Sequence, residues 1–122
     1  MENQTCIRLE ADAKQIMDCR TSIGELDSSL ALISEVLNLA GNKVRLQILF
    51  LLKKEGRLCV CDLSDILEMN VSAISQHLRK LRDRDIVYST KEAQTVFYSL
   101  NKDKSSILTP LFEMVEDNNV LV

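Results

Sequence analysis

The sequence has little proline or glycine and lacks any long apolar run. One proline and three glycines occur among 122 residues, so long disordered stretches are not expected away from the two ends. The absence of an apolar run of about 18 residues argues against a membrane-spanning helix. The first residues, MENQTCIRLEADAK, show no apolar core of the signal-peptide type. We therefore expect one compact cytoplasmic domain.

The net charge of −3 argues against a nucleic-acid partner, but the charges are unevenly distributed. Residues 1–42 carry seven acidic and three basic side chains, whereas residues 71–91 carry five basic and two acidic ones. Because contacts with DNA phosphates are local, a basic segment on an acidic protein is compatible with DNA binding. The same charges also fit an ordinary solvated helix face.

Hydrophobic spacing predicts several short helices. Apolar residues at steps of three and four predict a helix over 26–40, and KVRLQILFLLKK (43–54) predicts a second helix that is buried on most sides. Residues 61–67 form a short third predicted helix, residues 68–70 a tight turn, and Ser72 the predicted N-cap of a fourth helix. The predicted core face of the fourth helix consists of Ile74, Leu78 and Leu81. Two short helices joined by such a turn are typical of a helix-turn-helix, whose second helix reads DNA.

The C-terminal part changes from strand signals to a helix signal. IVYST (86–90) and TVFYSL (95–100) predict a two-stranded β-wing, although the turn between them contains no glycine. Residues 105–119 predict a last amphipathic helix in which Pro110 either lies in the first turn or causes a kink. The predicted fold is therefore mainly α with a two-stranded β-wing, a winged helix-turn-helix.

The first and last predicted helices carry apolar stripes outside the DNA-reading unit. We expect residues 1–22 to form an N-terminal arm that carries cysteines. Residues 23–122 are expected to form a winged helix-turn-helix domain that binds DNA and forms a homodimer through these two helices. A twofold dimer matches DNA half-sites that lie one helical turn apart.

Two stretches, LAGNKVRLQILFLL and RLCVCDLSDILEMNVSAISQHLRKLRDRDIVYSTKEAQTVFYSL, strongly resemble the ArsR–SmtB family of metal-sensing winged-helix repressors. The resemblance covers residues 26–115. It implies a homodimer that binds operator DNA without metal and is released when an inducer ion binds. The LCVCDL motif resembles the cadmium- and lead-sensing (CadC-like) branch, in which N-terminal cysteines of the other protomer join the paired cysteines.

The resemblance makes Cys59 and Cys61 metal ligands and makes Cys6 and Cys19 candidates to complete the shell. Thiolates select soft ions: cadmium or lead fits best, with mercury, arsenic(III) or zinc as alternatives. Residues at i and i+2 share a face in extended chain but not in a helix, so the pair chelates best where a strand-like entry turns into the third helix. Two sulfurs are too few for a closed tetrahedral site. The number of thiolate ligands, three or four, and the protomer that supplies the arm cysteines stay open.

Two other ligand arrangements of the family are incomplete in this sequence. The arsenic-sensing branch adds a cysteine just after the pair, where this chain has Ser64. The zinc-sensing branch uses carboxylate and histidine ligands on the last helix, where this chain has Lys102 and Lys104 and no histidine. We therefore predict no zinc site on the last helix.

The outer face of the fourth predicted helix, together with the wing, supplies the candidate DNA contacts. These are Ser72, Ser75, Gln76, His77, Arg79, Lys80 and, in the wing, Lys91. Hydroxyl, amide and imidazole groups suit base edges, and the basic side chains suit phosphates. His77 is interpreted as a DNA contact or a capping partner rather than a metal ligand.

Three other functions use the same thiols. A redox or sulfide sensor forms a disulfide or polysulfide, and since cysteines at i and i+2 make a poor direct disulfide, it needs an arm cysteine. A zinc-stabilised interaction module unfolds on chelation. A thiol enzyme is disfavoured by C-x-C in place of C-x-x-C and by the single histidine, so we do not expect an enzyme.

Overall fold

The computed structural model describes residues 5–117, which fall into two compact units that divide between Leu32 and Ile33. The first unit contains helix α1 (Ala13–Glu25) and the first part of α2 (Asp27–Ala40). Asp12 caps α1 because its carboxylate accepts a hydrogen bond from the backbone N–H three residues on, at 3.0 Å. The predicted arm is thus helical from Ala13 onward, and its division from the domain at residue 22 stays a prediction.

The second unit is built around α3 (Lys43–Glu55). Gly56 is the C-cap of this helix, and its φ of +89° favours glycine. Phe50 of α3 meets Phe112 edge to face, with ring centroids 5.7 Å apart, which attaches the last helix to the core. Three side chains of α3 are fully buried: Ile48, Leu49 and Leu52.

The predicted helix-turn-helix consists of α4 (Val60–Leu67) and α5 (Val71–Asp83). Its turn has no glycine, and Glu68 takes the left-handed backbone conformation there, with φ 54°. The predicted N-cap Ser72 is wrong: the Asn70 side chain accepts the capping hydrogen bond, at 2.8 Å. Asparagine and serine are comparable caps and lie two positions apart here, so spacing did not separate them. The predicted core face of α5 is confirmed by buried Ile74, Leu78 and Leu81.

The wing is an antiparallel sheet of β1 (Leu58–Cys59), β2 (Val87–Glu92) and β3 (Thr95–Leu100), in the order β1-β3-β2. The predicted hairpin β2–β3 is confirmed, while β1 adds a third strand that sequence reasoning missed. Two residues are too few to show the period of a strand. The hairpin turn is shorter than predicted, and Ala93 takes the positive φ (56°) that glycine often supplies.

The C-terminal segment forms α6 (Lys102–Ser105), one turn of 3₁₀ helix (Ser106–Leu108) and α7 (Thr109–Glu116). Pro110 lies in the first turn of α7, the first of the two predicted alternatives, where its missing N–H is tolerated. The predicted start of this helix at residue 105 is wrong, because α7 begins only at Thr109. The last two residues of the predicted helix, 118 and 119, lie outside the described residues. Within residues 5–117, no helix has the length and apolar character needed to cross a membrane.

Candidate thiol site and nucleic-acid interface

Cys59 and Cys61 lie where β1 turns into α4. Cys59 ends the strand with extended backbone and is the N-cap residue of α4, and its N–H donates to the Asp62 carboxylate at 3.4 Å. Cys61 follows in the first turn and is exposed, while Cys59 is half-buried, and both thiols are free. The predicted strand-to-helix entry at the pair is therefore confirmed.

The helix that begins at these thiols packs directly against α5. Leu63 is fully buried and belongs to the same hydrophobic cluster as the buried side chains of α5. Ser64, at the position where the arsenic-sensing branch has its third cysteine, donates its hydroxyl hydrogen to the Met69 carbonyl. That hydrogen bond fastens α4 to the turn before α5.

Cys6 and Cys19 lie in the first unit and are exposed. Cys6 precedes α1, and Cys19 lies on α1. Over residues 5–117, no group of three or more His, Cys, Asp or Glu side chains is close enough together to hold a metal ion. Cys59 and Cys61 therefore offer two thiols close together in sequence, whereas a closed tetrahedral site has four ligands.

The outward face of α5 is polar and basic. Its exposed candidates are spaced at i, i+3, i+4, i+7 and i+8, which places them on one side of a helix: Ser72, Ser75, Gln76, Arg79 and Lys80. Lys91 is exposed on β2. Arg84, just after α5, forms an ion pair with Glu35 of α2 at 3.2 Å, so its charge is partly neutralised within the second unit.

His77 lies between the exposed and the buried faces of α5. Its Nδ1 is 3.3 Å from Nη1 of Arg45 on α3, and because a guanidinium only donates, Nδ1 accepts and the neutral ring carries its proton on Nε2. Burial lowers the pKa of His77 below 6.5, and the charges of Arg45 and Lys80 lower it further. Arg45 also donates through Nε to the Leu39 carbonyl at 2.7 Å, so it ties the end of α2 to α5.

Sequence reasoning missed this role of Arg45 because its partner His77 is 32 positions away. The imidazole has a partner inside the fold, and its suggested role as a DNA contact stays a prediction.

Comparison with known proteins decides the family. The family described as bacterial regulatory protein, arsR family, matches residues 42–89. The transcriptional activator HlyU of Vibrio cholerae is 39% identical over 90 residues, which cover 74% of this chain and 82% of that protein. The chain belongs to the ArsR–SmtB family. A cadmium resistance regulatory protein CadC homolog of Staphylococcus aureus is 35% identical to this ArsR-family chain over 71 residues, 58% of the chain and 59% of that protein's length.

Solved structures confirm the fold of this ArsR-family protein. The reduced HlyU of Vibrio cholerae superimposes with a TM-score of 0.68 at 38% identity, covering 74% of this chain and 95% of that one. The predicted winged helix-turn-helix is confirmed. The relatives are transcription regulators, so this ArsR-family protein is a DNA-binding transcription regulator and not an enzyme.

Proposed function

We propose that this ArsR-family regulator is a metal-responsive repressor that binds operator DNA as a homodimer and releases it when a thiophilic ion binds Cys59 and Cys61. The observation that carries the proposal is the placement of two free, accessible thiols at the first turn of α4, the helix packed against α5. Because operator DNA is its partner, the repressor acts in the cytoplasm.

The ion is one that prefers sulfur. Cadmium(II) or lead(II) fits a shell of three or four thiolates best, with mercury(II), arsenic(III) or zinc(II) as alternatives. The cadmium resistance name of the staphylococcal relative supports a soft ion. Cys6 and Cys19, from the same protomer or its partner, complete the shell to three or four thiolates.

Metal binding acts on DNA through α4. An ion that draws arm cysteines to the thiol pair displaces the β1–α4 junction, and the buried Leu63 transmits the displacement to α5. The exposed face of α5 then loses its fit to base edges, and Lys91 loses its fit to phosphate. Regulation of this kind requires a coupling free energy of about 1–3 kcal/mol, and DNA must weaken metal binding by the same factor.

The dimer forms through α2 and α7, the first and last of the helices predicted from sequence. Within the second unit, four large apolar side chains on these helices are 38–51% exposed: Ile33, Leu37, Leu111 and Val115. An open apolar groove of about 350 Å³ adjoins α7. Burying such surface against a second copy is favourable, and sedimentation that shows only monomer at micromolar concentration would contradict this part of the proposal.

A titration tests the proposal. The reduced protein is titrated with Cd(II), Pb(II), Hg(II), As(III) and Zn(II), following thiolate-to-metal absorption with and without a DNA duplex selected on the metal-free protein. The inducing ion should weaken DNA binding by about 5- to 150-fold, and the double variant Cys59→Ser/Cys61→Ser should lose this response.

The control variant Asp65→Asn changes another exposed residue of α4 and should respond like the wild type. The double variant Cys6→Ser/Cys19→Ser shows whether the arm supplies ligands. Full induction of the Cys59→Ser/Cys61→Ser protein would refute the proposal.

A redox- or sulfide-sensing repressor is the second candidate, with the same DNA interface. It is supported by the relative whose structure is described as reduced HlyU. In this version a cysteine of the pair is oxidised to a disulfide with an arm cysteine or to a polysulfide. Release of the selected duplex by an oxidant or polysulfide, and by none of the five metals, would favour this candidate.

A further inference from the structure

Arg57 connects the strand that carries Cys59 with both strands of the wing hairpin. It lies between the end of α3 and β1. Its guanidinium makes a two-pronged ion pair with the Glu92 carboxylate, with Nη1–Oε2 at 2.6 Å and Nη2–Oε1 at 3.2 Å. The guanidinium carbon also lies 3.9 Å from the centre of the Phe97 ring. A planar guanidinium suits both contacts at once, which a lysine does not.

The two partners of Arg57 lie in different strands of the wing. Glu92 is the last residue of β2, next to the hairpin turn, and Phe97 lies in β3 directly opposite Cys59 of β1. Along β2, Val87 is buried and the five residues after it are exposed. The outer half of β2 therefore has little buried apolar surface to hold it in place, and the Arg57 contacts supply an attachment.

Side chains alternate between the two faces of β2, so Glu92 and Lys91 can have different roles. Neighbouring side chains point to opposite faces, so Glu92 faces Arg57 while Lys91 faces the other way. The structure thus leaves the ammonium group of Lys91 on the side of the strand away from the Arg57 ion pair. Fixing the backbone at Glu92 therefore also fixes the face of β2 from which the side chain of Lys91 projects.

We propose that Arg57 is a positioning residue for DNA binding: by holding Glu92 and Phe97 it fixes the outer wing, and with it Lys91, relative to the helix-turn-helix. This rests on the DNA-binding part of the proposed function and not on the metal response. The Arg57–Glu92 ion pair also links the wing to β1, because Arg57 lies two residues before Cys59.

Removal of the Glu92 charge separates this role from a direct contact between Arg57 and phosphate. If Arg57 bound phosphate itself, Glu92→Gln would remove a competing negative charge near DNA and strengthen binding. If Arg57 positions the wing, Glu92→Gln frees the wing and weakens binding, because the wing must then be ordered when DNA binds. The two roles therefore predict opposite signs for one variant.

Affinity for the selected duplex is measured by fluorescence anisotropy at fixed salt for wild type, Arg57→Gln, Glu92→Gln and the double variant. Each single variant should bind about two- to tenfold more weakly, and the double variant should bind no more weakly than Arg57→Gln alone. The matched control Glu55→Gln removes an acid of another exposed ion pair, with Lys54 on α3, and should not weaken binding. Tighter binding by Glu92→Gln, or additive losses in the double variant, would overturn the proposal.

A second measurement uses the free protein, without DNA or metal. The ¹⁵N heteronuclear NOE of residues 91–95 should fall in Glu92→Gln and Arg57→Gln while the urea midpoint stays within error, and Arg57→Lys should give an intermediate value. An unchanged NOE in Glu92→Gln would also overturn the proposal. Because this measurement uses no metal ion, its result does not depend on whether the protein senses metal.

Discussion

Replacing Asn70 by alanine should destabilise the protein through the first turn of the recognition helix. The Asn70 side-chain oxygen accepts a hydrogen bond of 2.8 Å from the Ala73 N–H, and its backbone is extended, as expected of an N-cap. Loss of such a cap costs about 0.5–2 kcal/mol. Asn70 is exposed, so water partly replaces the lost acceptor, and we expect about 1 kcal/mol.

Two control variants isolate the cap. Ser72→Ala changes a residue that lies inside the first turn of α5 and is exposed. Because alanine has the higher helix propensity, this variant should be neutral or slightly more stable, by less than about 0.5 kcal/mol. Asn70→Asp keeps an acceptor and places a negative charge at the helix N-terminus, so it should be close to wild type.

The assay is urea unfolding followed by circular dichroism, at one fixed protein concentration because the stability of the proposed dimer would depend on concentration. Asn70→Ala should lower the transition midpoint without changing the slope m, and should lower the melting temperature by about 4 °C. If Ser72→Ala cost as much as Asn70→Ala, the cap would lie at Ser72 and our description of the turn would be refuted.

Three further predictions follow from local geometry. Gly56→Ala should lower the free energy of unfolding in urea by about 1–3 kcal/mol, because φ is +89° there. Gly24→Ala, inside α1 with open space around it, should instead stabilise the protein by up to about 1 kcal/mol. Equal effects of the two variants would contradict both assignments. The pKa of His77 is lowered in the folded state, so the unfolded state binds more protons, and unfolding free energy should fall as the pH drops below about 6.5. His77→Gln should reduce the difference between pH 7.5 and 5.5, and an unchanged difference would count against the depressed pKa. Lys80→Ala should reduce the salt slope of DNA binding by about 1, while Gln76→Ala should change the selected sequence and leave the slope alone; the reverse pattern would exchange their roles.

The elements that were predicted from sequence carry strong signals of period or composition. The core face of α5 follows the helical period, the stretch that became α3 is a long apolar run, and the strand runs of the wing are rich in β-branched and aromatic residues. The strand-to-helix entry at the thiol pair was predicted by a different argument, because cysteines at i and i+2 share a face only in extended chain. In the structure Cys59 is extended and Cys61 already lies in the first turn of α4.

Features that sequence reasoning missed depend on distant residues or lack a buried face. Strand β1 exists because of its pairing with β3, and the contacts of Arg45 and Arg57 join residues 32 and 35 positions apart, which no local pattern encodes. Helix α1 buries none of its side chains, so its periodicity is weak. Its start carried a signal nonetheless, since Asp12 is followed three positions later by Gln15, as in a capping box.

The length of α4 determines what keeps this helix folded. A helix of eight residues is too short to persist alone in water, where about 12–15 residues are marginal, so α4 depends on the anchoring of Leu63. In the proposed function, an ion bound at the first turn of α4 therefore acts on a helix that keeps its shape through its packing against α5 and the rest of the core.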